Sequence, residues 1–362
     1  MLSNISSQYE QMWKMFIRPM KALYSIHDLG PSVMTFDKVH VHRTDFELKS
    51  SQNFTLRCSL FQIQGGGGRG GGEWGGGEGG GGGGGGEGAA AMRGCVLYLH
   101  GNAGNRLDVL PLLPFLVEKG LEVCCFDFAG CGLSEGEFIS LGMYESKDAL
   151  IVANHLRNYF KIRDIAIWGR SMGGVTTIRT AAKTNIFFAI VVDSAFMNLR
   201  KLAMDFAREN KKIGKLLTSV ILAFIKRSIK KRAKFNINDL DQTILVQHSR
   251  CPAYFIAGRG DNFVNPKNTE EMHRLYKGEK YLELVPGDHN AKRESEVVAR
   301  IVSFLRDSLV KKANEILNKN DIIEKIPELI GKKKIGVDMN EIIKKFEGVR
   351  GSAVLREEDF RI

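Results

Sequence analysis

The chain is 362 residues long with 43% hydrophobic residues and a formal net charge of +11, enough for one large folded domain with appendages and too apolar for a disordered polymer. The charge is uneven: residues 199–250 hold 13 Lys/Arg against 4 Asp/Glu. That concentration argues against a nucleic-acid-binding domain, which spreads basic residues over its binding face, so no nucleic acid partner is expected. No run of about 18 apolar residues occurs, so no transmembrane helix is expected. Residues 1–24 lack the continuous apolar stretch of a signal peptide.

Near the N-terminus, Trp13, Met15, Phe16 and Met20 stand beside Lys14, Arg18 and Lys21. They read as a helix packed on the domain, with a short interfacial helix as the alternative. Val39–His42 and Thr55–Gln62 alternate in type and predict an antiparallel pair at a sheet edge. These close an N-terminal segment of residues 1–64. Residues 65–90 follow as a glycine-rich insert: 19 of the 24 residues from 65 to 88 are glycine. Such a stretch cannot offset its conformational entropy by burial and reads as a disordered surface loop.

From residue 91 to 312 apolar strand patterns recur: 95–99, 123–128, 165–168, 189–193, 254–257 and 281–285. Helical patterns separate them at about 106–119, 143–160, 172–183, 266–276 and 292–311. Strands alternating with helices predict an α/β fold with about eight strands, mostly parallel, and helices on both faces. The basic segment 199–250 falls between the sixth and seventh of these strands and is expected to form a small helical cap. Its residues Ile213, Leu216, Leu217, Val220, Ile221, Phe224, Ile225 and Ile229 make an apolar helical face, with lysines and arginines at the ends. The plain reading is a helix packed on the domain with a solvated basic rim. The sharper alternative is peripheral contact of 211–234 with an anionic membrane surface. Residues 313–362 are a charged tail.

The six cysteines, Cys58, Cys95, Cys124, Cys125, Cys131 and Cys251, form no framework spacing and no C-x-x-C. They read as small apolar residues, which favours a reducing, cytoplasmic setting, with a membrane surface as the peripheral alternative. No cluster of His, Cys and carboxylates has ligand spacing, so no metal or other cofactor is expected.

Chemistry is suggested at four strand ends. Gly169-Arg170-Ser171-Met172-Gly173 is a G-x-S-x-G pentapeptide after the strand at 165–168, the pattern that exposes a serine on a sharp strand-to-helix turn. Asp261 follows the strand at 254–257, and His289 follows that at 281–285. Carboxyl ends of parallel strands share one edge, so these loops should converge there. A serine needs a base to become a nucleophile; a histidine supplies it, and a carboxylate orients the imidazole. Taken singly, Ser171 reads equally well as a turn serine, Asp261 as a helix cap and His289 as a surface residue. Asp193 and Asp288 are rival acids. The fourth strand end, His100-Gly101-Asn102-Ala103-Gly104, offers a backbone N–H at Asn102 which, with that of Met172, is expected to form an oxyanion hole. His100 reads as a residue shaping that turn, and Asp127 and Ser134 as structural.

The His-Gly-Asn-Ala turn, Asp127-Phe128-Ala129-Gly130-Cys131-Gly132-Leu133-Ser134-Glu135-Gly136, Gly-Arg-Ser-Met-Gly-Gly, Gly260-Asp261-Asn262-Phe263-Val264 and the late Gly287-Asp288-His289 together resemble the α/β-hydrolase superfamily. The resemblance runs over about residues 93–309. It is nearest to the serine aminopeptidase S33-like branch, which is also similar to monoacylglycerol lipases and acyl-protein thioesterases. It implies a serine hydrolase with Ser171 as nucleophile, His289 as base and Asp261 as its acid, because the turn and Val264 match the family pattern. An ester or thioester substrate is expected, with a peptidase or amidase, or a non-catalytic binding protein on the same scaffold, as alternatives. No motif for holding a substrate α-amino group is present, so peptide cleavage does not follow from the branch's label.

Overall fold

A computed structural model describes residues 23–64, 94–209 and 226–332, together with Glu10, Trp13, Lys14, Phe16, Ile17, Arg18, Lys21 and Ala223. The glycine-rich insert, the middle of the basic segment (210–222) and the end of the tail (333–362) lie outside the described residues. The chain divides into two compact units, Met1–Leu309 and Val310–Ile362. In the second, residues 310–332 are helical.

The first unit is built on nine strands among the described residues: β1 (Val33–Phe36), β2 (Val39–Lys49), β3 (Thr55–Ile63), β4 (Gly94–Leu99), β5 (Leu121–Phe126), β6 (Ile165–Arg170), β7 (Phe187–Asp193), β8 (Ala253–Gly258) and β9 (Lys280–Val285). They form one sheet in the order β1-β2-β3-β5-β4-β6-β7-β8-β9. Pairing is antiparallel from β1 through β3 to β5 and parallel from β5 to β9. The sequence pattern had predicted eight strands. The ninth is β1, only four residues long and nowhere fully buried, too short and too exposed to leave an apolar signature.

The central strands are mostly apolar because both faces are covered. Leu97, Leu99, Ile165 and Ile167 point into one core with the helices Glu145–Asn158 and Met172–Ala181. Their neighbours Val96, Tyr98, Ala166 and Trp168 point into the other, against the helix Leu113–Glu118 and against Val297, Ile301, Leu305 and Leu309 of the last helix. The period-2 alternation of side chains across the sheet thus builds two cores from one run of residues. Five cysteines, all but Cys251, are buried as free thiols, and burial pushes those thiols up from their ordinary pKa.

The helical pattern at 106–119 resolves into a 3-10 stretch, Arg106–Leu112, followed by the helix Leu113–Glu118, with Pro111 inside the first and Pro114 in the opening turn of the second. A proline lacks the N–H that a continuous α-helix requires, so the segment breaks into two pieces. At the N-terminus, Trp13, Phe16 and Ile17 are buried in the first core. Apolar side chains spent there cannot also face a lipid interface, so the packed helix replaces the interfacial alternative.

The strand order places the site. From β4 the chain turns to β5 on one side; from β6 it turns to β7 on the other. Loops leaving β4 and β6 therefore diverge, and a crevice opens between their carboxyl ends.

Candidate active site

Ser171 sits at the end of β6, at φ 53° and ψ −114°, immediately before the helix Met172–Ala181. A non-glycine residue held there is strained, a state seen where surrounding contacts overdetermine the backbone. The contacts are present: Ser171 N–H donates to Asp193 O at 2.7 Å, and Val175 N–H donates to Ser171 O at 3.0 Å. The flanking glycines are demanded by space. A Cβ on Gly169 would stand 2.0 Å from Gly173 O, and one on Gly173 would stand 2.0 Å from Leu99 O.

The three strand-end residues meet. His289 Nε2 is 2.9 Å from Ser171 Oγ, and His289 Nδ1 is 2.6 Å from Asp261 Oδ2. The second Asp261 oxygen accepts the N–H groups of Phe263 (3.0 Å) and Val264 (2.7 Å), so both oxygens of this buried carboxylate are engaged. The two loops are stitched together by Arg259 N–H to Val285 O and Gly260 N–H to Gly287 O. The Phe263 ring lies 5.0 Å from the imidazole. The rival acids are committed elsewhere. Asp193 is clasped by Arg293 through two bonds. Asp288 accepts the N–H groups of Asn290 and Ala291.

His100 has the structural place expected of it. Its Nε2 accepts Phe128 N–H at 3.1 Å, so Nδ1 carries the proton and donates to Gly101 O at 2.6 Å. Asp127 is buried and accepts from Arg106 N–H, Leu133 N–H and the Tyr24 hydroxyl. Arg106 in turn reaches Tyr24 and Ser59, which binds Asp45. This buried network fastens β2 and β3 beneath the loops that form the site's mouth. Burial and the neighbouring Asp127 raise the Tyr24 pKa. Neither Tyr24 nor Arg106 carries a local sequence signal for this role.

Met172 is the first residue of its helix, so its N–H has no intrahelical acceptor. Asn102 lies inside the turn closed by Gly104 N–H to Gly101 O. Both residues line, with Ser171, a small apolar pocket formed by Phe16, Leu141, Phe196, Leu199, Leu202 and Phe263. Of the cap, Leu199–Glu209 and 226–232 are described helices; Ile229 is buried, and the Arg232 guanidinium lies 4.3 Å over the Trp13 ring. The lysines at 211, 212 and 215 fall outside the described residues. Among the described residues no helix is long and apolar enough to cross a membrane.

Sheet order, strained serine turn and converging loops define an α/β-hydrolase fold. Comparison agrees: the esterase Pf2001 of Pyrococcus furiosus superposes with a TM-score of 0.56 at 20% identity, covering 80% of this chain and 99% of that one. Residues 90–242 match the family described as Serine aminopeptidase, S33. The chain is 23% identical over 197 residues to the uncharacterized protein YfhR of Escherichia coli K12, covering 54% of this chain and 62% of that protein. It is 35% identical over 112 residues to the lysophosphatidylserine lipase ABHD12 of Danio rerio, 29% of each chain. The matches thus span less than two thirds of either relative's length. The chain has the α/β-hydrolase fold, and its residues 90–242 are similar to the S33 serine aminopeptidase family of that fold.

Proposed function

We propose that the protein hydrolyses an acyl ester or thioester through an acyl-enzyme formed on Ser171. The observation that carries this reading is the continuous relay from Ser171 Oγ to His289 to a buried, fully engaged Asp261. His289 Nε2 accepts the serine proton as Oγ bonds to the carbonyl carbon. It returns that proton to the leaving oxygen or sulfur as the acyl bond breaks. A water then attacks the acyl-enzyme, giving a proton to the same nitrogen; His289 passes that proton to Ser171 Oγ as the bond from Oγ to the acyl carbon breaks and the carboxylic acid leaves. Asp261 holds the Nδ1–H tautomer and stabilises the imidazolium. The N–H groups of Met172 and Asn102 receive the oxyanion; loss of one such donor costs roughly 100- to 1,000-fold in rate. The side chains beside Ser171 at this pocket, Phe196, Leu199 and Leu202 among them, are apolar, as the acyl side of such an ester favours.

The test is a set of substrates with one acyl group and three leaving groups: an alcohol, a thiol and an aniline. Ester and thioester turnover that exceeds anilide turnover, and is lost in Ser171→Ala, is expected. Anilide turnover equal to or above the esters would replace this reading with an amidase.

A further inference from the structure

Beyond Ser171 and His289 the cleft continues to a wall made by Lys292, Arg293 and Ser295, the first residue of the last helix. Arg293 is built into that wall, its side chain only 4% exposed. Its Nε and Nη2 bind Asp193 at 3.0 and 2.5 Å, and Nη2 also reaches Ser194 Oγ at 2.9 Å. Its Nη1 is buried and has no acceptor among the described residues. Buried donors are nearly always paired, so an unmet guanidinium nitrogen in the wall of an active-site cleft favours an acceptor brought from outside.

The charge around it has the right sign. Arg170 and Lys292 line the same cleft, and of the two carboxylates that do so, Asp193 is already occupied by Arg293. The other, Asp108, is exposed, with the Arg170 charge acting on it. Glu294 and Glu296 are exposed and do not line the cleft. The positive end of the helix that starts at Ser295 adds to the same field. Ser171 also lines the apolar pocket of Phe196, Leu199, Leu202 and Phe263. The nucleophile therefore borders both an apolar pocket and a cleft with a cationic wall.

We infer that Arg293 and Lys292 form a subsite for a phosphate or carboxylate carried on the substrate's leaving group, so that the favoured substrate is an acyl ester of an anionic alcohol. This rests on the hydrolase reading above and names its substrate class.

The experiment pairs monooctanoylglycerol with its phosphate monoester. Binding is measured calorimetrically on Ser171→Ala protein, with inorganic phosphate as a third ligand; turnover is measured on the unmodified enzyme. The phosphorylated ester is expected to bind about tenfold or more tighter than the neutral one, the worth of one charge-assisted hydrogen bond. The ratio of kcat/KM values should favour it likewise. Both preferences should shrink at high salt, in Arg293→Lys and in Lys292→Gln. The second variant alters an exposed position and leaves the Asp193 pair intact, so it reports even where Arg293→Lys fails to fold. Equal binding of the two esters would overturn the subsite. So would inorganic phosphate binding as tightly as the phosphorylated ester, because the site would then hold a free anion. Anion preference in binding without turnover of either ester would instead remove the hydrolase reading and leave the subsite standing.

Discussion

Arg170, the residue before the candidate nucleophile, donates from Nη2 to the backbone carbonyl of His289 at 2.9 Å. The same nitrogen reaches Ala291 O at 2.7 Å. A side chain on the nucleophile turn thus holds the loop that carries the candidate base, across 119 residues of sequence. Arg170 acts through His289, as a positioning residue. Arg170→Ala should lower kcat about tenfold, because hydrogen bonds from a charged donor are worth about 1.5–3 kcal/mol, and should leave KM for a neutral ester little changed. Steady-state kinetics check this; a rise in KM with unchanged kcat would point to substrate contact instead.

Gly169 and Gly173 are fixed by space. Each substitution to alanine drives a Cβ to 2.0 Å from a carbonyl oxygen of rigid backbone. Overpacking of this severity costs upwards of about 3 kcal/mol. Gly173→Ala should lower the thermal midpoint by several degrees and abolish reaction of Ser171 with an active-site phosphonate. A variant of unchanged stability would show that the turn relaxes freely.

The two buried aspartates near the site should separate cleanly. Asp261→Asn should fold and lose about 10,000-fold in kcat, since the imidazole tautomer is no longer enforced. Asp193→Asn leaves Arg293 buried without its counter-charge, at a cost of about 3–5 kcal/mol, so it should lower the thermal midpoint while the folded fraction still reacts with a phosphonate. The opposite assignment of effects would make Asp193 the acid.

The residues of the candidate site were legible in the sequence because they lie in short patterns at strand ends. The Gly-x-Ser-x-Gly spacing, the turn after β8 and the late histidine each announce themselves locally, and a parallel sheet brings such ends together. The central strands were legible because burial on both faces leaves mostly apolar residues. What escaped has no local signature. β1 is four half-exposed residues. The Arg293–Asp193 pair joins residues 100 apart, and the Tyr24–Asp127 bond joins residues 103 apart; each depends on the finished fold. Asp193 looked like a rival acid because a buried arginine partner cannot be read from its neighbours.

Asp148 supplies a pH-dependent prediction. Its carboxyl is pushed up to about 6 by burial, against the Ser51 N–H bond that lowers it; its Oδ2 is buried without a partner among the described residues. Between about pH 4 and pH 6 the unfolded chain has lost this proton and the folded one retains it, so the contribution of Asp148 to stability falls as pH rises through that window. Asp148→Asn keeps the acceptor for Ser51 and removes the ionisation. It should be more stable than the parent at pH 7.5 by about 1 kcal/mol, less than the full shift at 1.36 kcal/mol per unit because the new amide N–H groups are also buried. The gain should vanish near pH 4, as chemical denaturation at the two pH values would record.

The most direct measurement is reaction of the purified protein with a fluorophosphonate, the labelled residue being located by peptide mass spectrometry. The account predicts a single modified residue, Ser171, with labelling abolished in Ser171→Ala and strongly slowed in His289→Ala. A folded protein that does not label, or that labels equally well without His289, would contradict it.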